Sequence, residues 1–228
     1  MQITYYGHSC FGVEVSGKQL LFDPFISGND LAKHIEIKNI PADYVLISHG
    51  HGDHIMDGID IAKRTNAKVI SNYEICTIWF ELNGISNVHG MNHGGSWTFD
   101  FGTVKYVNAV HSSTLPNEKS GGNPGGFLVM TEEGNFYFAG DTALTMDMKL
   151  IPLWCKLDFA MLPIGDNFTM SVDDAFIASD FIECNKIIGM HYDTFGFIKI
   201  EHEVSKSKFT KAGKELMLMT IGESISMN

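Results

Sequence analysis

The stretch that most constrains this chain is His49-Gly50-His51-Gly52-Asp53-His54, where three imidazoles and one carboxylate fall within six positions. Directly before it, Tyr44-Val45-Leu46-Ile47-Ser48 is apolar and β-branched and predicts a buried strand. Directly after it, residues 55–62 predict the body of a helix, with Asp53 near its N-terminal end. A strand that ends, turns on two glycines and enters a helix can aim several side chains at one point. Imidazole nitrogen and carboxylate oxygen are ligands that borderline-soft divalent ions such as zinc prefer. The competing explanation is an exposed polar loop, since a chain with ten histidines produces close pairs by chance. The full His-x-His-x-Asp-His spacing right behind a strand is much rarer than a pair, and the rest of the chain has to supply its context.

Other strand ends supply it. Hydrophobic alternation predicts strands over 2–6, 11–15, 19–22, 68–71, 97–101, 104–110, 126–130, 135–139, 158–163, 186–190 and 215–221. Helices are expected over 54–64, 73–82, 172–183 and 201–212, with a further short one over 29–35. Ser171 and Asp174 have the spacing of a capping box for the third of these. Each half places paired antiparallel strands before strand–helix units, which predicts two β-sheets packed together with helices outside. The strands at 44–48, 104–110, 135–139 and 186–190 run into His49, His111, Gly140-Asp141 and His191. Lying side by side and pointing the same way, they would bring these residues to one sheet edge, where open α/β architectures bind ligands. His49, His51, Asp53, His54, His111, Asp141 and His191 make seven metal-competent side chains. A catalytic four-coordinate ion needs about three protein ligands and a water, so this set implies two ions, with Asp141 the natural bridge.

Composition narrows the function classes. A chain of 228 residues, 44% hydrophobic and 19% charged, supports one globular domain over 1–228 with no room for a large second module. A net charge of −11 argues against a nucleic-acid partner, which would need a basic face. Met1–Tyr6 reads as strand rather than signal peptide, and no apolar run spans a bilayer, so no membrane partner is expected. Cys10, Cys76, Cys155 and Cys184 show no Cys-x-x-Cys pair and are expected as free thiols in the cytoplasm.

On these residues the chain resembles the metallo-β-lactamase-fold hydrolases, whose signature is His-x-His-x-Asp-His followed by a downstream His, Asp and His. A closer likeness, to a short metal-dependent hydrolase subfamily related to ascorbate-phosphate lactonase, rests on five stretches. They are Gly7-His8-Ser9-Cys10, Leu21-Phe22-Asp23-Pro24, Gly140-Asp141-Thr142, Leu162–Met170 and Met190-His191-Tyr192. The resemblance implies an α/β fold, a four-layer αββα sandwich. It implies a first metal on His49, His51 and His111, and a second on Asp53, His54 and His191, with Asp141 bridging. Asp23 would support the site from behind the ligands, against the alternative of a plain turn residue before proline. His8 would sit beside the metals and hydrogen-bond a ligand or substrate, against the alternatives of direct metal ligation or a satisfied polar group near a strand end. Asp166 and Thr169 would line the pocket floor, although polar residues approaching a helix would look the same. His89 and His93, in an expected Gly/Asn-rich turn, match no family position, and His34 and His202 sit in polar helical segments; all four are read as structural or solvated.

The expected activity is a dinuclear hydrolase that uses a metal-bound hydroxide on a small ester, phosphodiester or lactone. Catalytic roles would fall to Asp53, His8 and Asp141. Zinc is the preferred ion, with manganese or iron as alternatives. The expected partner is a small-molecule substrate; association into a homo-oligomer stays open. The rivals are a nucleic-acid-processing nuclease of the same fold, a di-iron redox protein, and a non-catalytic binding protein stabilised by its ions. Residues 112–126, with four glycines, two prolines and almost no apolar anchor, are expected to form a mobile lip of the active site, against the alternative of an inert surface excursion.

Overall fold

The computed structural model describes residues 1–227; Asn228, the last residue of the expected domain span, lies outside the described residues. β1 (Gln2–Gly7), β2 (Cys10–Val15) and β3 (Lys18–Phe22) form an antiparallel run, the last two joined by the predicted Ser16-Gly17 turn. β4 (Tyr44–Leu46), β5 (Lys68–Asn72) and β6 (Val88–Met91) then add in parallel to β3. The second half repeats the scheme. β7 (Ser96–Phe99), β8 (Gly102–Asn108), β9 (Gly125–Thr131) and β10 (Gly134–Phe138) are antiparallel. β11 (Phe159–Pro163), β12 (Lys186–Met190) and β13 (Glu215–Met217) follow in parallel to β10. β14 (Ser224–Ser226) returns to pair with β1, so each sheet has seven strands.

The period of two in the strands decides what each face touches. Leu20, Phe22, Tyr44, Leu46 and Ile70 enter the core between the sheets and meet residues such as Phe127, Phe136 and Phe138. Their neighbours Leu21, Val45, Ile47 and Val69 point the other way, onto a second core with Ile55, Ile61 and Phe80. That second core lies beneath α1 (Gly52–Ile55) and α2 (Gly58–Thr65). α3 (Val172–Phe181), with its expected capping box, and α4 (His202–Lys211) cover the second sheet through Ala175, Ala178 and Phe209. The layers are therefore helix, sheet, sheet, helix, the expected αββα sandwich. Among the described residues no helix is long and apolar enough to cross a membrane.

Three expectations change. The single helix over 54–64 is interrupted between Ile55 and Gly58. There the Asp57 carboxylate turns back to accept from the backbone N–H groups of Ile26 and Ser27, at 2.6 and 2.9 Å, and the Ser27 hydroxyl. The helix over 73–82 is a wide π-type turn at Ile75–Phe80 that tightens into a 3₁₀ turn at Glu81–Asn83. His89 sits in strand β6 against the rings of Trp97 and Phe99, not in a turn.

Candidate metal centre

Loops after β1, β3, β4, β8, β10 and β12 meet at one end of the sandwich. They carry His8, Asp23, His49 to His54, His111, Asp141 and His191 respectively. The side-by-side arrangement of the four ligand-bearing strands expected from sequence is not what forms. β4 belongs to the first sheet, while β8, β10 and β12 belong to the second and are separated from one another by β9 and β11. Convergence comes from facing sheets. Tyr106 of β8 donates its hydroxyl to the Ser48 carbonyl at 2.9 Å, and His191 N–H donates to the His8 carbonyl at 2.9 Å. Gly140 is pressed against the first sheet: a Cβ there would stand 2.6 Å from Ser48 Cβ, and its φ of +61° also favours glycine. His8, Asp23 and His191 have positive φ as well, at 55°, 41° and 56°. Strained backbone of this kind persists where surrounding structure over-determines it, often at functional sites.

Behind the donors runs a brace of hydrogen bonds. Buried Asp23 accepts from the Ser48 backbone N–H at 2.7 Å and from the Ser48 hydroxyl at 2.6 Å. It also accepts His54 Nδ1–H at 2.8 Å. With its own hydrogen engaged, the Ser48 oxygen accepts His49 Nδ1–H at 2.9 Å. Nδ1 of His49 and of His54 is thereby committed to an outer partner and both Nε2 atoms face inward, the usual effect of outer partners on metal-binding imidazoles. His51 Nε2 lies 3.2 Å from Ser112 Oγ, and its Nδ1 faces His49 Nε2 at 3.1 Å. His8 Nε2–H donates to Asp53 Oδ2 at 3.2 Å, while its Nδ1 accepts from the Thr194 hydroxyl at 2.9 Å.

Asp141 Oδ2 is the centre of the arrangement. It lies 3.9 and 3.5 Å from the Nε2 atoms of His49 and His111, and 3.3 and 3.0 Å from those of His54 and His191. These nitrogens crowd the oxygen without aligned hydrogen bonds, and buried His54 Nε2, His191 Nδ1 and Asp141 Oδ1 have no partner. Buried polar atoms are seldom left so, unless an ion completes them. Ligand-competent atoms gather as His49, His51 and His111, and as His8, Asp53, His54 and His191. The donor set fits a divalent cation. The charges agree: burial would raise the Asp141 carboxyl, yet His191 and His54 pull it well below the usual range. Burial would lower His191, but Asp141 and then Asp53 hold it up at about 9. His54 is likewise raised, whereas burial lowers His49, His51 and His111.

Comparison with known proteins assigns the fold to a family. Residues 2–191 match the Beta-lactamase superfamily domain. A UPF0173 metal-dependent hydrolase of Flavobacterium johnsoniae is 60% identical over 227 residues, covering 100% of both chains. One from Christiangramia forsetii is 58% identical over the same full extent of both. The chain belongs to the UPF0173 metal-dependent hydrolases. Among solved structures, Igni18, a metallo hydrolase from the archaeon Ignicoccus hospitalis, superimposes with a TM-score of 0.89. It is 34% identical, over 98% of this chain and 97% of that one.

This UPF0173 hydrolase opens its metal centre into a cavity of about 760 Å³, walled by His51, His111, Phe168, Thr194, Phe195 and Phe197 among others. Asp166 and Thr169, expected on the pocket floor, do not line it; Phe168 between them does. Asp166 and Asn167 are successive left-handed residues, with φ of 61° and 52°, and Asp166 Oδ1 accepts from Asn167 N–H at 2.7 Å. The polar pair makes the turn and the phenylalanine is delivered by it, since Asp and Asn tolerate that backbone region. The loop over 112–126 does have an apolar anchor, Leu115, buried in the core beneath α1 and α2. Asn72 Nδ2 holds it further, donating to the carbonyls of Gly121 and Asn123. Sequence reasoning missed Ser48, Ser112, Thr194 and the phenylalanines. Ser48 and Ser112 adjoin ligands and Phe195 closely follows His191, so adjacency was the available signal.

Proposed function

We propose that the chain hydrolyses a small ester, phosphodiester or lactone at a dinuclear centre. The position of Asp141 Oδ2 carries the reading: one carboxylate oxygen stands between two groups of imidazoles whose Nε2 atoms turn toward it, and buried His54 Nε2 has no hydrogen-bond partner. His49, His51 and His111 would hold one ion and Asp53, His54 and His191 the other, with Asp141 shared. Zinc is the ion of choice for such donors, ahead of manganese and iron. Bound there, the ions supply a water activated at neutral pH and polarise the substrate oxygen.

The protein's own groups do the positioning. Asp23 and Ser48 set the tautomers of His54 and His49 before any ion arrives. Burial and neighbouring His191 push the His8 imidazole down to about 4, so it is neutral and gives its Nε2–H to Asp53. His8 thus orients the Asp53 carboxylate, whose free oxygen can accept a proton at the mouth of the cavity. A nucleic-acid substrate fits poorly, because the chain carries a net charge of −11 and the cavity lining has no lysine or arginine.

Mass-spectrometric metal analysis of stripped and reloaded protein tests the centre, with two ions per chain and a higher melting temperature expected. Saturation at one ion per chain would refute the dinuclear reading. Hydrolysis in oxygen-18 water must place the label in the product.

A further inference from the structure

The cavity has two unlike sides. Around the metal donors it is polar; beyond them Phe168, Phe195 and Phe197 form its wall. Phe168 and Phe197 are 51% and 78% exposed. A single exposed phenylalanine needs no explanation. Three, delivered by the loops after neighbouring strands β11 and β12 onto one cavity with a reactive base, make a binding wall.

The wall is built into the site. The left-handed pair Asp166-Asn167 turns Phe168 outward, and Met170 N–H donates to the carbonyl of Thr142, next to Asp141. On the other loop, Asp193, at φ 62°, takes the Ile200 N–H at 3.1 Å on Oδ1 and His202 Nε2 at 2.6 Å on Oδ2. This closes the segment that carries Phe195 and Phe197. Phe195 stands edge-on to His8 with ring centres 5.4 Å apart, and against Phe25 at 6.4 Å. Among the described residues no lysine or arginine lines this cavity. Lys119 lines an adjoining polar hollow that shares His111 and Ser112 with this cavity, with Glu118 of opposite charge beside it and away from the phenylalanines. An anionic substituent pressed against the phenylalanines would lose its water without gaining a partner.

Resting on the hydrolytic reading above, we infer that the substrate is a neutral carboxylic ester or lactone bearing an aryl or branched alkyl group. That group lies on Phe168, Phe195 and Phe197 while the scissile carbonyl faces the metal donors. Nothing on this wall selects a phosphorylated molecule.

The test uses the full chain loaded with zinc and a set of ethyl esters followed by acid release, so that no aryl leaving group can occupy the wall: acetate, phenylacetate and the anionic hemisuccinate, with diethyl phosphate beside them. The inference expects kcat/KM for phenylacetate to exceed that for acetate at least about tenfold, as filling an apolar pocket does, and the hemisuccinate to be poorest of the carboxylic esters. In the double variant Phe168→Ala, Phe197→Ala the phenylacetate-to-acetate ratio should fall about tenfold, with bound metal per chain unchanged. Metal-dependent turnover with equal acetate and phenylacetate rates, or with the hemisuccinate or phosphate diester preferred, overturns the inference and leaves the hydrolytic reading standing. If nothing is turned over, saturation-transfer NMR with neutral phenylacetamide separates the two. Binding abolished by the double variant keeps the aryl wall and rejects only the hydrolysis, and no binding overturns the inference.

Discussion

His54 and His191 approach the same carboxylate oxygen of Asp141, at 3.3 and 3.0 Å, from facing sheets, yet their rings are held by different means. His54 is locked from behind by Asp23, itself gripped twice by Ser48. His191 has no partner on Nδ1 and owes its position to a left-handed backbone and one main-chain bond to His8. The first sheet therefore supplies donors whose tautomer and direction are set in the apoprotein. The second sheet supplies donors that are placed but not braced, and that an ion has to finish. The contrast teaches that the contiguous motif is the preorganised half of the centre and the strand-end ligands are the completing half.

The largest effect belongs to the residue both halves share. Asp141→Asn should weaken metal binding by more than the roughly 10–100-fold that losing an outer partner costs, and abolish most turnover. Calorimetric metal titration reads this directly; unchanged stoichiometry and affinity would show that the halves are independent. Asp23→Asn comes next. It should cost about 10–100-fold in affinity at the His54 position, less at His49, which it reaches only through Ser48, and little at His51 and His111. Cobalt substitution, with each position followed by its visible spectrum, would expose a uniform loss and so break the comparison.

Protons sharpen it further. In the metal-free chain His191 is held up at about 9 and so carries at pH 7.5 a proton that a ligand must shed, and the carboxylates of Asp141 and Asp53 shift His54 in the same direction. His49, His51 and His111 are lowered by burial and have none to give. Binding to the Asp53, His54 and His191 group should release protons, and the part from His191 should fade as pH rises through about 9. Binding to the triad should release almost none. Titration calorimetry in two buffers of different ionisation enthalpy measures both; heats independent of buffer would contradict the assignment. The smallest effect is that of Ser112→Ala, which removes the bond behind His51 and should cost about 1 kcal/mol, roughly fivefold in triad affinity. A change beyond about tenfold would mean that His51, within the contiguous motif, depends on the completing half for its position.

How much of this was legible depended on sequence distance. His49, His51, Asp53 and His54 are neighbours in the chain, so spacing and a strand–turn–helix pattern suffice to aim them together. The αββα arrangement was readable from antiparallel pairs followed by strand–helix units. Short β6 and β14 were not: Val88–Met91 holds a glycine and a histidine, and Ser224–Ser226 is a polar edge whose pairing with β1 spans nearly the whole chain.

The sequence by itself determined which side chains could bind metal and which faces of the strands had to be buried, because both follow from residue type and local period. Only the tertiary structure decided that the ligand strands come from facing sheets, that Ser48 joins Asp23 to His49, and that Phe168 rather than Asp166 or Thr169 faces the cavity. Those outcomes hang on single backbone angles, such as the positive φ of Asp166, Asn167 and His191, and on contacts between residues far apart in the chain. No local period encodes such angles, since an aspartate, an asparagine or a histidine adopts the left-handed region only where the surrounding packing requires it.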